Sequence, residues 1–103
     1  MGKPSQRKGR RAEIEVKNIY LAHGFKCRLH DQWEAGDLTV WINDQPYLVE
    51  VKRRELRHKE VNELLKTCDV LWWRANFEDW KVATSAIRHC AELSIACSPA
   101  GEG

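Results

Sequence analysis

GDLTVWINDQPYLVEVK, residues 36–52, decides how this chain folds. Behind Asp37, the apolar Leu38, Val40 and Ile42 alternate with Thr39 and Trp41, the period of a strand with two unlike faces. Asn43-Asp44-Gln45-Pro46 reads as a turn, because Asn and Asp tolerate turn geometry and proline fixes its own backbone. A returning strand follows in Tyr47 to Arg53, where Tyr47, Val49 and Val51 point one way and Leu48, Glu50 and Lys52 the other.

Outward from this hairpin, Ala12, Val16, Ile19, Tyr20 and His23 recur at helical spacing and Gly24 follows, which predicts a first helix over 10–23. Glu13 lies beside its apolar stripe and Glu15 on the opposite flank, so either can border a site. Phe25 to His30 reads as a short strand, and Asp31 to Gly36 as a loop. Downstream, Leu56 to Lys66 carries a helical pattern. Val70 to Arg74 and Trp80 to Thr84 form a second hairpin around Asn76 to Asp79, and Ala86 to Leu93 a closing helix. Residues 1–9 read as a flexible basic arm, 10–97 as one domain and 98–103 as a frayed tail. The order α-β-β-β-α-β-β-α describes an α/β domain, a mixed sheet flanked by helices.

Composition agrees with one domain: 103 residues, 43% hydrophobic and 31% charged, leave no room for two cores. No apolar run approaches the ~18 residues of a membrane span, and the charged N-terminus lacks the apolar stretch of a signal peptide, so the expected location is the cytoplasm. Cys27, Cys68, Cys90 and Cys97, with His23, His30, His58 and His89, never fall at zinc-finger or ribbon spacing, and the cysteines read as reduced thiols. Net charge is only +2, yet Lys3, Arg7, Lys8, Arg10 and Arg11 put five cations and no anion into the first eleven residues. Lys52, Arg53, Arg54, Arg57 and Lys59 form a second basic run. Two such clusters suggest a polyanionic partner, because neutralising phosphates releases condensed counterions.

Glu50-Val51-Lys52 sets a carboxylate and an ammonium side by side on one strand face. Alone, E-x-K is a common surface ion pair. Here Asp37 opens the neighbouring strand, and two carboxylates converging from paired strands make an oxygen-rich site for a hard divalent cation, with Glu13 as a third donor. The metal set expected is Asp37, Glu50, Val51 and Glu13. Phosphodiester hydrolysis needs such a set, since a bound metal activates water and offsets charge in the in-line transition state. An ammonium at Lys52 can orient the attacking water.

These residues resemble nucleases of the PD-(D/E)xK superfamily, and within it the archaeal-type Holliday junction resolvases and their phage relatives. The resemblance rests on Lys8-Gly9 in a basic leader, Ala12-Glu13, His23-Gly24-Phe25, Gly36-Asp37-Leu38 and Glu50-Val51-Lys52. The steps of 24 residues from Glu13 to Asp37 and 13 from Asp37 to Glu50 look like those of the resolvases. It covers about residues 7–54, and Thr67 to Leu71 looks more like short phage-type members. The resemblance implies a restriction-endonuclease-like sheet, direct magnesium binding by Asp37 and Glu50 with manganese as a substitute, a catalytic Lys52, and a Glu13 that engages metal through water or shapes the site. It also implies a DNA grip by the leader and a homodimer acting on four-way junctions or other branched DNA, in a cell or, for a phage protein, in its host. Two departures stand out: Gly36 replaces the proline of the superfamily's name, and His30-Asp31-Gln32-Trp33-Glu34-Ala35 replaces a loop containing Ser and Gly, which bears on junction selectivity.

The DNA-binding set expected is Lys3, Arg7, Lys8, Arg10, Arg11, Arg53 and Arg54. Trp72, Trp73, Phe77 and Trp80 fall within nine residues and are expected at a dimer interface, where aromatic anchors concentrate energy; packing inside the domain is the other use of such residues. Trp33 either stacks on an unpaired base or packs beneath its loop. Besides a junction resolvase, the pattern admits a restriction-like or repair nuclease of the same superfamily and a non-catalytic nucleic-acid-binding module.

Overall fold

The computed structural model describes residues 4–93, with side chains from residue 10 onward. The chain is a mixed α/β fold: a five-stranded mixed sheet with three helices. Helix α1 spans Pro4–Ala22, followed by β1 (Lys26–Leu29), β2 (Leu38–Ile42), β3 (Gln45–Lys52), α2 (His58–Leu64), β4 (Val70–Trp73), β5 (Lys81–Thr84) and α3 (Ala86–Glu92). No helix among the described residues is long and apolar enough to cross a membrane.

The strands lie side by side in chain order. β1, β2 and β3 pair antiparallel, β3 and β4 pair parallel, and β4 and β5 pair antiparallel. Antiparallel neighbours need only short turns, whereas the parallel β3–β4 pair needs a crossover, which α2 supplies. The alternation in β3 is realised: Tyr47, Val49 and Val51 are buried together with Leu38 and Val40 of β2, Val70 of β4, and Ala12 and Val16 of α1. These eight residues form the central cluster of the core, and each fully buried aliphatic side chain contributes about 1.5–3 kcal/mol of hydrophobic stabilisation.

Three boundaries differ from expectation. Helix α1 starts at Pro4, six residues ahead of the predicted start, on a proline, which is tolerated where the helix has no hydrogen bond to lose. The β2–β3 turn is tighter than the four residues expected. Only Asn43 (φ +53°) and Asp44 (φ +65°) form it. Two consecutive left-handed residues are the mark of a type I′ hairpin turn, whose twist matches that of the flanking strands, and Gln45 already pairs with Ile42. Third, α2 is shorter than expected and has no buried residue. Leu56, just ahead of it, is buried instead. The segment expected to fray, 98–103, lies outside the described residues, as does Cys97.

Candidate functional site

Gly36 delivers the chain into β2 with φ +76°, and a Cβ there would lie 2.5 Å from Leu48 Cδ1. Only glycine meets both demands without strain. The next residue is clamped: Asp37 N–H donates to Val49 O at 3.0 Å, and Asp37 O accepts from His30 N–H at 2.9 Å. The regular β2–β3 ladder begins at Leu38–Val49, just past Asp37, and Asp37 stands at its mouth as the principal acidic neighbour of Glu50 on β3. Asp37 Oδ2 accepts the Val51 N–H at 2.8 Å.

Glu13 reaches the same place from α1. Arg10, one turn earlier, donates from Nη1 to Glu13 Oε1 at 3.1 Å and to His30 O at 3.0 Å. Burial raises the proton affinity of Glu13, the Asp37 charge raises it further, and Arg10 pulls the other way. Glu50 behaves alike: burial is the main cause of its raised proton affinity, Asp37 the next, and Lys52, two residues along the same strand face, opposes them. Asp37 is thus the charge that both glutamates feel. Glu50 Oε1 is buried with no hydrogen-bond partner, an expensive state for an atom that can only accept when ionised.

Glu13, Asp37, Glu50 and Lys52, read from the sequence as one site, therefore share one electrostatic neighbourhood. They do not form a closed ligand shell: among the described residues, no group of three or more His, Cys, Asp or Glu side chains stands together closely enough to hold a metal ion. Arg10 engages Glu13, and the Val51 amide engages Asp37. Val51, expected in the metal set, has its side chain in the core and contributes an amide to Asp37. A cleft of about 680 Å³ opens beside the carboxylates, lined by Arg10, Glu13, His30, Asp37 and the 31–36 loop.

The structure distributes the expected DNA-binding residues unevenly. Arg10 lines the cleft and Arg11 is exposed on the same helix. Arg53 donates to Asn76 Oδ1 at 2.9 Å, and Arg54 pairs with Glu60 at 2.8 Å. Lys3 and the side chains of Arg7 and Lys8 lie outside the described residues.

The aromatic group expected at an interface is divided. Trp72 stacks edge-on against Tyr20 and Trp80, with its indole N–H donating to the Tyr20 hydroxyl at 2.9 Å. Trp80 donates to Glu15, which also pairs with Arg74 at 2.8 Å. Trp72 and Trp80 are thus used within the chain, where they pack against the core, because α1 offers Tyr20 and Glu15 to the β4–β5 hairpin. Glu15 serves this contact, while Glu13 serves the site. Phe77 is fully exposed at φ +63°, and Trp73 is half-buried.

Two further residues near the site were given no role there by the sequence. His30 is buried and holds both the Ala35 carbonyl and the Thr39 hydroxyl through its ring nitrogens. Cys68 packs near the carboxylates, its thiol pushed up to about 11 by burial and by the charges of Glu50, Asp69 and Asp37. His30 is brought there by the local β1–β2 connection, whereas Cys68 arrives only through the crossover to β4. No family model, curated protein or solved structure matches this chain.

Proposed function

We propose that the chain is a magnesium-dependent DNA endonuclease with a restriction-endonuclease-like fold, cleaving branched DNA such as four-way junctions as a homodimer. The observation that carries this reading is the approach of Asp37 to Glu50 at the mouth of the β2–β3 ladder, joined by Glu13 and flanked by Lys52. Hard carboxylate oxygens are the donor set that magnesium and manganese take, and the buried, unpartnered Glu50 Oε1 is an acceptor in want of a cation. Asp37, Glu50 and Glu13 would hold the ion, with Glu13 turning from Arg10 to do so. When bound, it would lower the pKa of water and offset charge on the phosphate.

The chain's own groups do the rest. Lys52, fixed on the same strand face as Glu50, orients the attacking water and faces the negative phosphate. Arg10 lines the cleft and Arg11 is exposed next to it in sequence, and counterion release from them supplies sequence-independent affinity. Two matched nicks in a four-way junction call for two sites in related orientations, which a two-fold dimer supplies.

Incubation of the protein with synthetic four-way junctions, flaps, nicked duplexes and linear duplexes, with and without magnesium, tests the reading. Magnesium-dependent cleavage strongest on the branched substrates is expected. Binding without cleavage of any substrate, in magnesium and in manganese, would leave a non-catalytic DNA-binding module.

A further inference from the structure

Trp33 is 84% exposed, the most accessible tryptophan in the chain, whereas Trp41, Trp72, Trp73 and Trp80 are each partly buried. It does not pack beneath its loop. It stands on the 31–36 loop at the rim of the cleft that also contains Glu13 and Asp37.

That loop is tied down from several sides. Arg28 grips Glu34 with two hydrogen bonds, 3.1 and 2.8 Å, and this fork, with the Asp31 amide, holds the Glu34 carboxyl down at about 2. The Trp33 N–H donates to Asp31 Oδ1 at 3.0 Å, and the Glu34 N–H donates to Asp31 O at 3.2 Å. His30 Nδ1 bonds the Ala35 carbonyl at 2.9 Å. An indole on a braced loop gives up little conformational freedom when something stacks on it.

We propose that Trp33 stacks on an unpaired nucleobase beside the scissile phosphate, so that the 31–36 loop selects interrupted over continuous duplex. Bases inside a paired duplex hide their faces in the stack; a base at a branch, bulge or gap offers one to an aromatic ring. The surroundings favour a base over a protein partner. No other large exposed apolar side chain comes from this loop, whereas a protein anchor sits in an apolar, desolvated patch. Of the four carboxylates lining the cleft, Glu34 and Glu13 are each held by an arginine, Arg28 and Arg10, that is about half exposed, and Asp31 and Asp37 each accept a backbone N–H, which tempers repulsion of a phosphate chain. The inference rests on the endonuclease reading for the identity of the nearby phosphate, and on Trp33 itself for the stacking.

The test is equilibrium binding in calcium, with paired oligonucleotides that differ only in one 2-aminopurine left unpaired or fully paired, for wild type, Trp33→Ala and Trp33→Phe. Wild type should prefer the unpaired form and change the 2-aminopurine emission. Trp33→Ala should lower the ratio of the two affinities about 5- to 150-fold, the range of one base–aromatic stack, and Trp33→Phe should keep most of it. An unchanged ratio in Trp33→Ala overturns the inference even if magnesium supports cleavage. A change in oligomeric state in Trp33→Ala with the ratio unchanged also overturns it, assigning the indole to a second copy of the chain. A lowered ratio in a protein that cleaves nothing upholds the stacking and removes the endonuclease reading.

Discussion

Asp37, at the entry to β2, is the principal acidic neighbour of Glu50 on β3, and their carboxylates are treated unequally. Asp37 Oδ2 takes the Val51 amide at 2.8 Å, while Glu50 Oε1 is buried with no partner. A hairpin built for stability alone would not set two acids beside each other where one is buried, since like charges at close range are destabilising. Such a cost is the kind that functional sites carry.

The metal-free protein should therefore lose stability as pH rises above the ordinary carboxylate value. Glu13 and Glu50 have raised proton affinities, so their contribution is fully present below 4.5 and is lost as pH climbs through their folded-state values. Glu34, held at about 2, acts oppositely: its contribution is present above 4.5 and is lost as pH falls towards 2. Thermal melts in chelator across pH 3–8 check this. Glu50→Gln should raise the melting midpoint at pH 8 by a few degrees, and magnesium should raise that of wild type but not of the variant.

Lys52→Ala separates cleavage from metal binding. Cleavage should fall by at least about 100-fold, the scale of losing one charged stabiliser of a transition state. Magnesium affinity at pH 8, followed by calorimetry, should stay within a few-fold. Because Lys52 opposes the raised proton affinity of Glu50, the pH at which the metal binds half-maximally should move upward in the variant.

Gly36→Ala tests whether the entry to β2 is what aims Asp37. A residue with a side chain at φ +76°, its Cβ against Leu48, should cost about 1–3 kcal/mol in chemical denaturation. Cleavage should fall further than that loss of folded protein explains, because the strain is relieved by moving Asp37.

How much of this was legible in the sequence follows the range of the interactions. The period-2 pattern of residues 38–42 and 47–52 is local, so the hairpin, its buried face and the meeting of Asp37 with Glu50 could be read from spacing. The turn could be placed but not narrowed, because Gln45-Pro46 is as compatible with a turn as with a strand start. Glu13 and Glu15 looked equivalent on the helical wheel; only the docking of α1 sends one to Asp37 and the other to Arg74 and Trp80. The internal contacts of Trp72 and Trp80 are not readable from spacing, because nothing in their own segment announces Tyr20, which lies 52 residues before Trp72. Cys68 reaches Glu50 and Asp37 only through the crossover that follows β3, while the bonds of His30 to Ala35 and Thr39 are local but follow no recognisable spacing.

Single-turnover cleavage of a synthetic four-way junction, titrated with magnesium for wild type and Asp37→Asn, measures the central claim most directly. Asp37 is the charge common to both glutamates, and asparagine removes it with little change of shape. Wild type should nick the junction with a saturating magnesium dependence, and Asp37→Asn should bind the junction within a few-fold yet cleave it at least about 100-fold more slowly at every magnesium concentration. Equal cleavage by the two proteins, or wild-type cleavage indifferent to magnesium, would contradict the account.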